Sequence, residues 1–368
     1  MIHEPPRGLD LVAIGGGTGL STVLAGLKNF VVTQAHTASH TTSGELWLES
    51  LSAIVTVSDD GGSSGRLRDE LQMLPPGDIR NCMVALSEDS TLLARLFRYR
   101  FPGSGDLGGH SFGNLFLAAL TAVTGDFTEA VRLSSEVLAS KGRIYPSTLN
   151  DVRLVAELAD GTEVKGETRI TAAGQPIRRL RLEPELCLPL PDALAALRSA
   201  DIITIGPGSL YTSILPNLLV SRVAGMIGES AAVKIFICNL MTQPGETDGF
   251  TAQQHLETIR EYAPEINFDY IVLNNRLISV EQAERYEAES AQQVEICDQL
   301  LDETFGGSVR VVRADLLDGA GKVRHSPEKL ARIIIACYEA MNNNSHAPHH
   351  NAPPASALAA QEYEDFEF

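Results

Sequence analysis

Glycine crowds into two loops, each directly after a short apolar run, and few folds accommodate that arrangement twice. The first loop, Gly15-Gly16-Gly17-Thr18-Gly19, follows the apolar stretch from Leu9 to Ile14. Leu20, Val23, Leu24 and Leu27 come next and fall on one helical face. The second loop, Gly206-Pro207-Gly208-Ser209, follows Ile202-Ile203-Thr204-Ile205. Strand, glycine loop and helix in that order set bare N–H groups and a positive helix end at the carboxyl edge of a sheet, where anions bind. The chain therefore reads as a binder of nucleotides or phosphosugars.

Strand and helix patterns alternate elsewhere too. Leu51 to Val57, Asp201 to Ile205, Val233 to Cys238, Tyr270 to Leu273 and Val309 to Val312 read as strands. Helices are expected from Leu67 to Leu71, Asp126 to about Ala139, Pro191 to Ser199, Thr251 to Tyr262 and Pro327 to about Met341. Such alternation predicts an α/β, Rossmann-like, doubly wound and mostly parallel sheet. Near Arg143 the texture changes. Val152 to Leu158, an Asp160-Gly161 turn and Val164 to Ile170 read as a hairpin, so about 143–188 is expected to be a small β-rich insertion. Residues 1–8 are expected to be a flexible N-terminus, 9–341 the main domain and 342–368 a disordered acidic tail. The polar run from Thr33 to Gly44 reads as a loop. Ser/Thr-rich stretches there and at 146–148 are candidate modification sites.

Charge limits the partners. With a net charge of −18 and an isoelectric point near 4.9, nucleic acid and anionic membranes are not expected ligands. Any anion must be held by local loops and a few arginines. The five cysteines form no Cys-x-x-Cys pair, which suits reduced thiols and a cytoplasmic location. No signal core opens the chain and no apolar run reaches about 18 residues, so membrane insertion is not expected.

Several polar segments between the loops carry candidate chemistry. Asp59 and Asp60 leave three readings open: a partner for a ribose hydroxyl, a Mg²⁺ site beside substrate phosphates, or plain capping of the next helix. Gly61, Gly62, Ser63 and Ser64 read as a flexible, N–H-rich loop, and Arg66 as a phosphate clamp or a surface ion-pair partner. Asp78 fits an N-cap, with Arg80 and Asn81 in the following turn facing a ligand or solvent. His110 is a general base, a phosphate donor or a structural residue at a helix start. Asn114, on an otherwise apolar helix, needs a partner. Tyr211 and Thr212 add hydroxyls beyond the second glycine loop. Asn239, Thr242 and Gln243 follow another strand in the same way, so these loops are expected to converge on one crevice. The dinucleotide fingerprint is broken because Leu20 stands where its third glycine belongs. That makes a nicotinamide-dependent oxidoreductase the weakest of the readings. Neither a Ser-His-Asp order nor a Walker A lysine loop is evident, and the only obvious metal candidates are Asp59 and Asp60.

Six segments, GGGTGLSTVLAGLK, AIVTVSDDGGSSGRLRDEL, PPGDIRN, GHSFGNLFLAALT, ADIITIGPGSLYTSILPNLLV and CNLMTQPGET, together resemble the YvcK-type gluconeogenesis factor family. That family is related to CofD, the 2-phospho-L-lactate transferase. The resemblance spans roughly residues 9 to 338. It implies a Rossmann-like fold and a cytoplasmic protein that binds a UDP-sugar, UDP-N-acetylglucosamine above all. It also implies a role in cell shape and envelope synthesis during gluconeogenic growth, a cell-envelope protein partner and room for a homo-oligomer. Carried over, the phosphate-binding role falls on Gly16, Gly17, Thr18 and Gly19 and on Gly206, Pro207, Gly208 and Ser209. The alternative is a CofD-like transferase in which Mg²⁺ on Asp59 or Asp60 helps move a phosphate-linked group to a hydroxyl. Two departures stand out. The 33–45 stretch is longer than the family's, and Gln292 occupies the place of a usual arginine.

Overall fold

The computed structural model describes residues 8–32, 46–88, 92–297, 301, 307, 309–319 and 321–345. The expectations for residues 1–7, for the 33–45 loop and for most of the tail lie outside these. Ten strands are named in chain order: β1 Leu9–Gly15, β2 Leu48–Val55, β3 Arg143–Pro146, β4 Arg153–Leu158, β5 Glu163–Lys165, β6 Ile177–Glu183, β7 Ile202–Ile205, β8 Val233–Ile237, β9 Tyr270–Asn274 and β10 Arg310–Ala314.

Seven of them form one sheet in the order β10-β9-β8-β7-β1-β2-β3, and all its pairings are parallel. Both faces of such a sheet are covered by helices, so its central strands are mostly apolar. β7 reads Ile-Ile-Thr-Ile with every residue buried. Leu11 pairs with Ile202 and Ile14 with Ile205. Against the sheet, the Gly17–Leu27 helix buries Leu20, Val23, Leu24 and Leu27 and packs on the Gly77–Leu86 and Pro327–Ser345 helices. Among the described residues no single helix is long and apolar enough to cross a membrane.

The strand order places the reversal point. From β1 the chain moves one way through β2 and β3, then returns on the other side of β1 through β7, β8, β9 and β10. The crossovers on either side of the β1–β7 seam diverge there, leaving a crevice at the carboxyl ends of those strands. Both glycine loops open into it.

Several expectations change. The Asp59–Gly65 region is not a free loop. A helix spans Gly62–Leu71 with Gly61 as its N-cap and Ser63, Ser64 and Gly65 buried. A Cβ on Gly65 would lie 2.0 Å from the Asp60 carbonyl oxygen, so only glycine lets this helix pack so closely. The insertion is smaller than expected, because β3 is the edge strand of the main sheet, paired with β2. The small sheet, β5-β4-β6, is antiparallel. Val164 to Ile170 does not continue as a strand: β5 ends at Lys165 and a helix runs from Glu167 to Ala173. The 146–148 stretch is buried, with Thr148 at 0 % exposure, and its hydroxyl donates to the Leu188 carbonyl at 2.6 Å. The last helix runs to Ser345, past the expected end at Met341.

Candidate functional site

The two glycine loops touch. A Cβ on Gly19 would lie 2.2 Å from the Pro207 carbonyl oxygen and 2.7 Å from its carbon. Gly16 is the meeting point of three elements: its Cβ would be 2.7 Å from Asp78 Oδ2, 2.8 Å from Thr56 Cγ2 and 3.3 Å from Ser213 Cβ. Gly17 takes a positive φ of 58° and opens a helix whose N-cap, Gly16, offers no side chain. That end keeps its positive potential and most of its N–H groups for an acceptor. Thr18 stands in the same first turn.

Beside it, the second loop is held rigidly. Asn239 Oδ1 accepts from the Gly208 N–H at 3.0 Å. Ser209 caps the following turn, accepting from the Thr212 N–H at 3.1 Å and from its hydroxyl at 2.7 Å. Asn217, fully buried, donates its Nδ2 to the Gly15 carbonyl at 3.0 Å and to the Ser213 carbonyl at 2.7 Å. This strap ties the end of β1 to the turn after β7.

An acidic wall faces the glycines. Asp59 accepts from the Gly61 N–H at 2.8 Å. Asp60 reaches the insertion, accepting from the Thr168 N–H at 3.0 Å and its hydroxyl at 2.9 Å. Asp78 is not the expected N-cap. Pro76 holds that position, and the Asp78 carboxyl turns toward Gly16 and Gly17. Burial, then Asp59, raise its pKa to about 6, against the opposing pull of the Gly17 N–H and Arg80. Glu167 rises to about 9 through burial first and then Asp59, Asp78, Glu246 and Asp60. Glu246 is raised by burial, although it accepts from Ser209 and from Thr171. These acids come from segments far apart in sequence, and their mutual repulsion calls for a proton or a cation between them.

Hard carboxylate oxygens suit Mg²⁺, which is commonly held by one or two carboxylates together with substrate phosphates. Asp59 and Asp78 would hold it, while Asp60 is engaged by Thr168. Among the described residues no group of three or more His, Cys, Asp or Glu side chains forms a ready-made cage.

On the other flank the starts of three helices meet. Ser63 Oγ lies 2.9 Å from His110 Nδ1, and Asn114 Nδ2 donates to that hydroxyl at 3.0 Å. Ser111 caps the Phe112–Thr124 helix. The Ser63–His110 pair suggests a nucleophile and its base, but Ser63 is 5 % exposed and its oxygen already accepts from Asn114. Both facts lower its nucleophilicity. Arg66 donates to the Gly108 carbonyl at 2.6 Å, and Arg80 to Asn81 Oδ1 at 2.7 Å.

Several other candidates make contacts within the protein. The Tyr211 ring is buried against Phe250, its hydroxyl is held by Thr258, and burial raises its pKa to about 12. Thr242 is buried and clasps the backbone of Gln292, accepting from its N–H at 3.0 Å. The Gln243 N–H donates to Thr247 at 2.9 Å. Glu167, Glu246 and Asn217 complete the site and were not singled out from sequence. The signal for Glu246 and Asn217 was their place after a strand-and-loop segment. Glu167 had none, because it belongs to a helix within an apparent strand.

Comparison with known proteins agrees with this architecture. The 2-phospho-L-lactate transferase CofD family model matches residues 11–317. A gluconeogenesis factor of Halalkalibacterium halodurans is 43% identical over 326 residues, covering 89% of this chain and 95% of the relative. The gluconeogenesis factor of Bacillus subtilis is 43% identical over 326 residues, with 88% and 96% covered. A solved Bacillus halodurans structure of the UPF0052 family superposes with a TM-score of 0.81 at 42% identity, covering 90% of this chain and 99% of that one.

Proposed function

The chain belongs to the CofD family and to the gluconeogenesis factors within it, and from that premise we propose that it binds a UDP-sugar, UDP-N-acetylglucosamine above all, in the β1–β7 crevice. It acts there as a cytoplasmic regulator of cell shape and envelope synthesis during gluconeogenic growth. The observation that carries this reading is the contact between the two glycine loops at the strand reversal, with Gly19 against Pro207. A diphosphate fits at the mouth beside such a seam, where the Gly17–Leu27 helix start is open and can share its charge. Ligand bound there bridges the sheet to the Asp60–Thr168 contact with the insertion. Shifting that contact changes the surface offered to a cell-envelope protein or to a second copy of the chain. The engaged state of Ser63 supports binding without turnover.

The acidic wall favours a second reading, a CofD-like transferase. Bound between Asp59 and Asp78, Mg²⁺ would neutralise a diphosphate and its leaving charge. Asp59 and Asp78 would hold the ion, and Glu167, protonated through most of the neutral range, would offer a hydrogen-bond donor.

Calorimetric titration with UDP-N-acetylglucosamine, UDP, GDP and NAD, with and without Mg²⁺, separates the two. Tight UDP-sugar binding indifferent to Mg²⁺, without turnover, supports the regulator. Mg²⁺-dependent preference for GDP moves the assignment to the transferase, and binding of NAD alone rejects both.

A further inference from the structure

Three arginines gather at the start of the Phe112–Thr124 helix without meeting a carboxylate. Arg66 and Arg100 donate to the successive carbonyls of Gly108 and Gly109, just before that helix. Arg80 packs along its first turn: a Cβ on Gly113 would lie 2.8 Å from both Arg80 Cγ and Cδ. Arg80 Nε is buried with no partner. Among the described residues none of the three forms an ion pair. The acids that face them are Glu70, toward His110, and Asp78, toward Arg80.

This grouping opposes ordinary helix electrostatics. A helix start carries a partial positive charge and favours acids, yet the Phe112–Thr124 helix has no acid in its first turn. Burial, then Arg100, push the Arg80 pKa down. Arg80 Nε, a donor without a partner, lies at the same place. In a chain of net charge −18, leaving such a cluster without an ion pair favours an oxyanion arriving from outside.

The hydrogen-bond chain beside it sets the state of His110. Asn114 Nδ2 donates to Ser63 Oγ. The Ser63 hydroxyl hydrogen is thereby free to donate to His110 Nδ1. In the tautomer this chain favours, the imidazole proton sits on Nε2, for which the structure shows no protein partner. Burial and the charges of Arg66 and Arg100 keep the ring neutral. In that form His110 offers a neutral donor to a ligand.

We propose that Arg66, Arg80, Arg100 and His110 form a second oxyanion subsite, separate from the glycine loops, that takes a phosphate group. Ser63 and Asn114 are its positioning residues, fixing the tautomer of His110. The subsite does not rest on the nucleotide assigned to the crevice, because inorganic phosphate alone can probe it.

The test is long-range proton–nitrogen NMR on the full chain labelled at histidine nitrogens, with His110 assigned from the His110→Gln spectrum. The wild type shows the Nε2–H tautomer, and inorganic phosphate at constant ionic strength moves the signal to saturation. Arg100→Gln, at an exposed position, and Arg80→Gln each weaken that titration about tenfold or more. Ser63→Ala loses the single tautomer while the backbone spectrum is kept. Repeating the titration with UDP-N-acetylglucosamine present identifies the source of the phosphate. Persistence means a separate phosphorylated molecule, and loss means the nucleotide's own chain reaches the subsite. A wild-type His110 that ignores phosphate, an Nδ1–H tautomer, or unchanged affinity in Arg100→Gln overturns the proposal.

Discussion

Replacing Gly19 with alanine tests whether the two glycine loops are packed as one unit. The new Cβ would sit 2.2 Å from the Pro207 carbonyl oxygen and 3.0 Å from Gly208 Cα. Both are backbone, so no side chain can rotate away and the loops must separate. Overpacking of this kind costs about 2 kcal/mol. At about 2–4 °C per kcal/mol, Tm falls by about 4–8 °C. Gly225→Ala is the matched control. That glycine is inside the Val223–Glu229 helix with nothing within 4 Å of its Cβ, so alanine there raises stability by about 0.4–1 kcal/mol. Differential scanning calorimetry of both variants reads the contrast, and UDP-sugar titration should show Gly19→Ala weakened and Gly225→Ala unchanged. If Gly19→Ala melts with the wild type and binds as well, the loops are not in contact and the crevice is misplaced.

Other consequences follow from the same geometry. Asn217→Ala removes two hydrogen bonds at a fully buried position and should cost about 2–3 kcal/mol in chemical denaturation; a loss under about 0.5 kcal/mol would mean the strap is idle. Glu167 has a folded pKa raised to about 9 against about 4.3 unfolded. Its protonated form is the one that suits the fold, so stability is fully present below the lower value and is lost as pH rises toward the higher one. Glu167→Gln should therefore flatten the decline in Tm between pH 5 and pH 9, and an unaltered decline would show the acidic wall is not its source. Tyr262→Phe removes the hydroxyl that accepts from the Leu180 N–H at 2.7 Å. It should cost about 1 kcal/mol and speed hydrogen exchange in β6, with no effect on β1.

Much of the architecture could be read from the chain because its signals are local. β1 and β7 are short, apolar on both faces and followed by glycine, which together leave few alternatives to a buried parallel strand. What escaped depends on distant partners. The helix at Gly62–Leu71 begins with glycine and serine, poor helix formers, and is stabilised by packing on the Asp60 carbonyl. The helix at Glu167–Ala173 sits in a stretch that alternates like a strand, but the Thr168 N–H in its first turn is satisfied by Asp60, 108 residues away in sequence. β3 is four residues ending in proline, too short for periodicity to reveal, and it forms only because β2 presents an edge. The site divides in the same way. The glycine loops, Asp59, Asp60, Arg66, Arg80 and His110 were visible as motifs. The acidic wall was not, because Asp78, Glu167 and Glu246 become neighbours only when the insertion folds over the crevice.

The most direct measurement is a crystal structure of the protein soaked with UDP-N-acetylglucosamine. The diphosphate should lie at the mouth formed by residues 15–19 and 206–209, against the open start of the Gly17–Leu27 helix. Density for the nucleotide elsewhere, with that mouth empty at saturating ligand, would contradict the assignment.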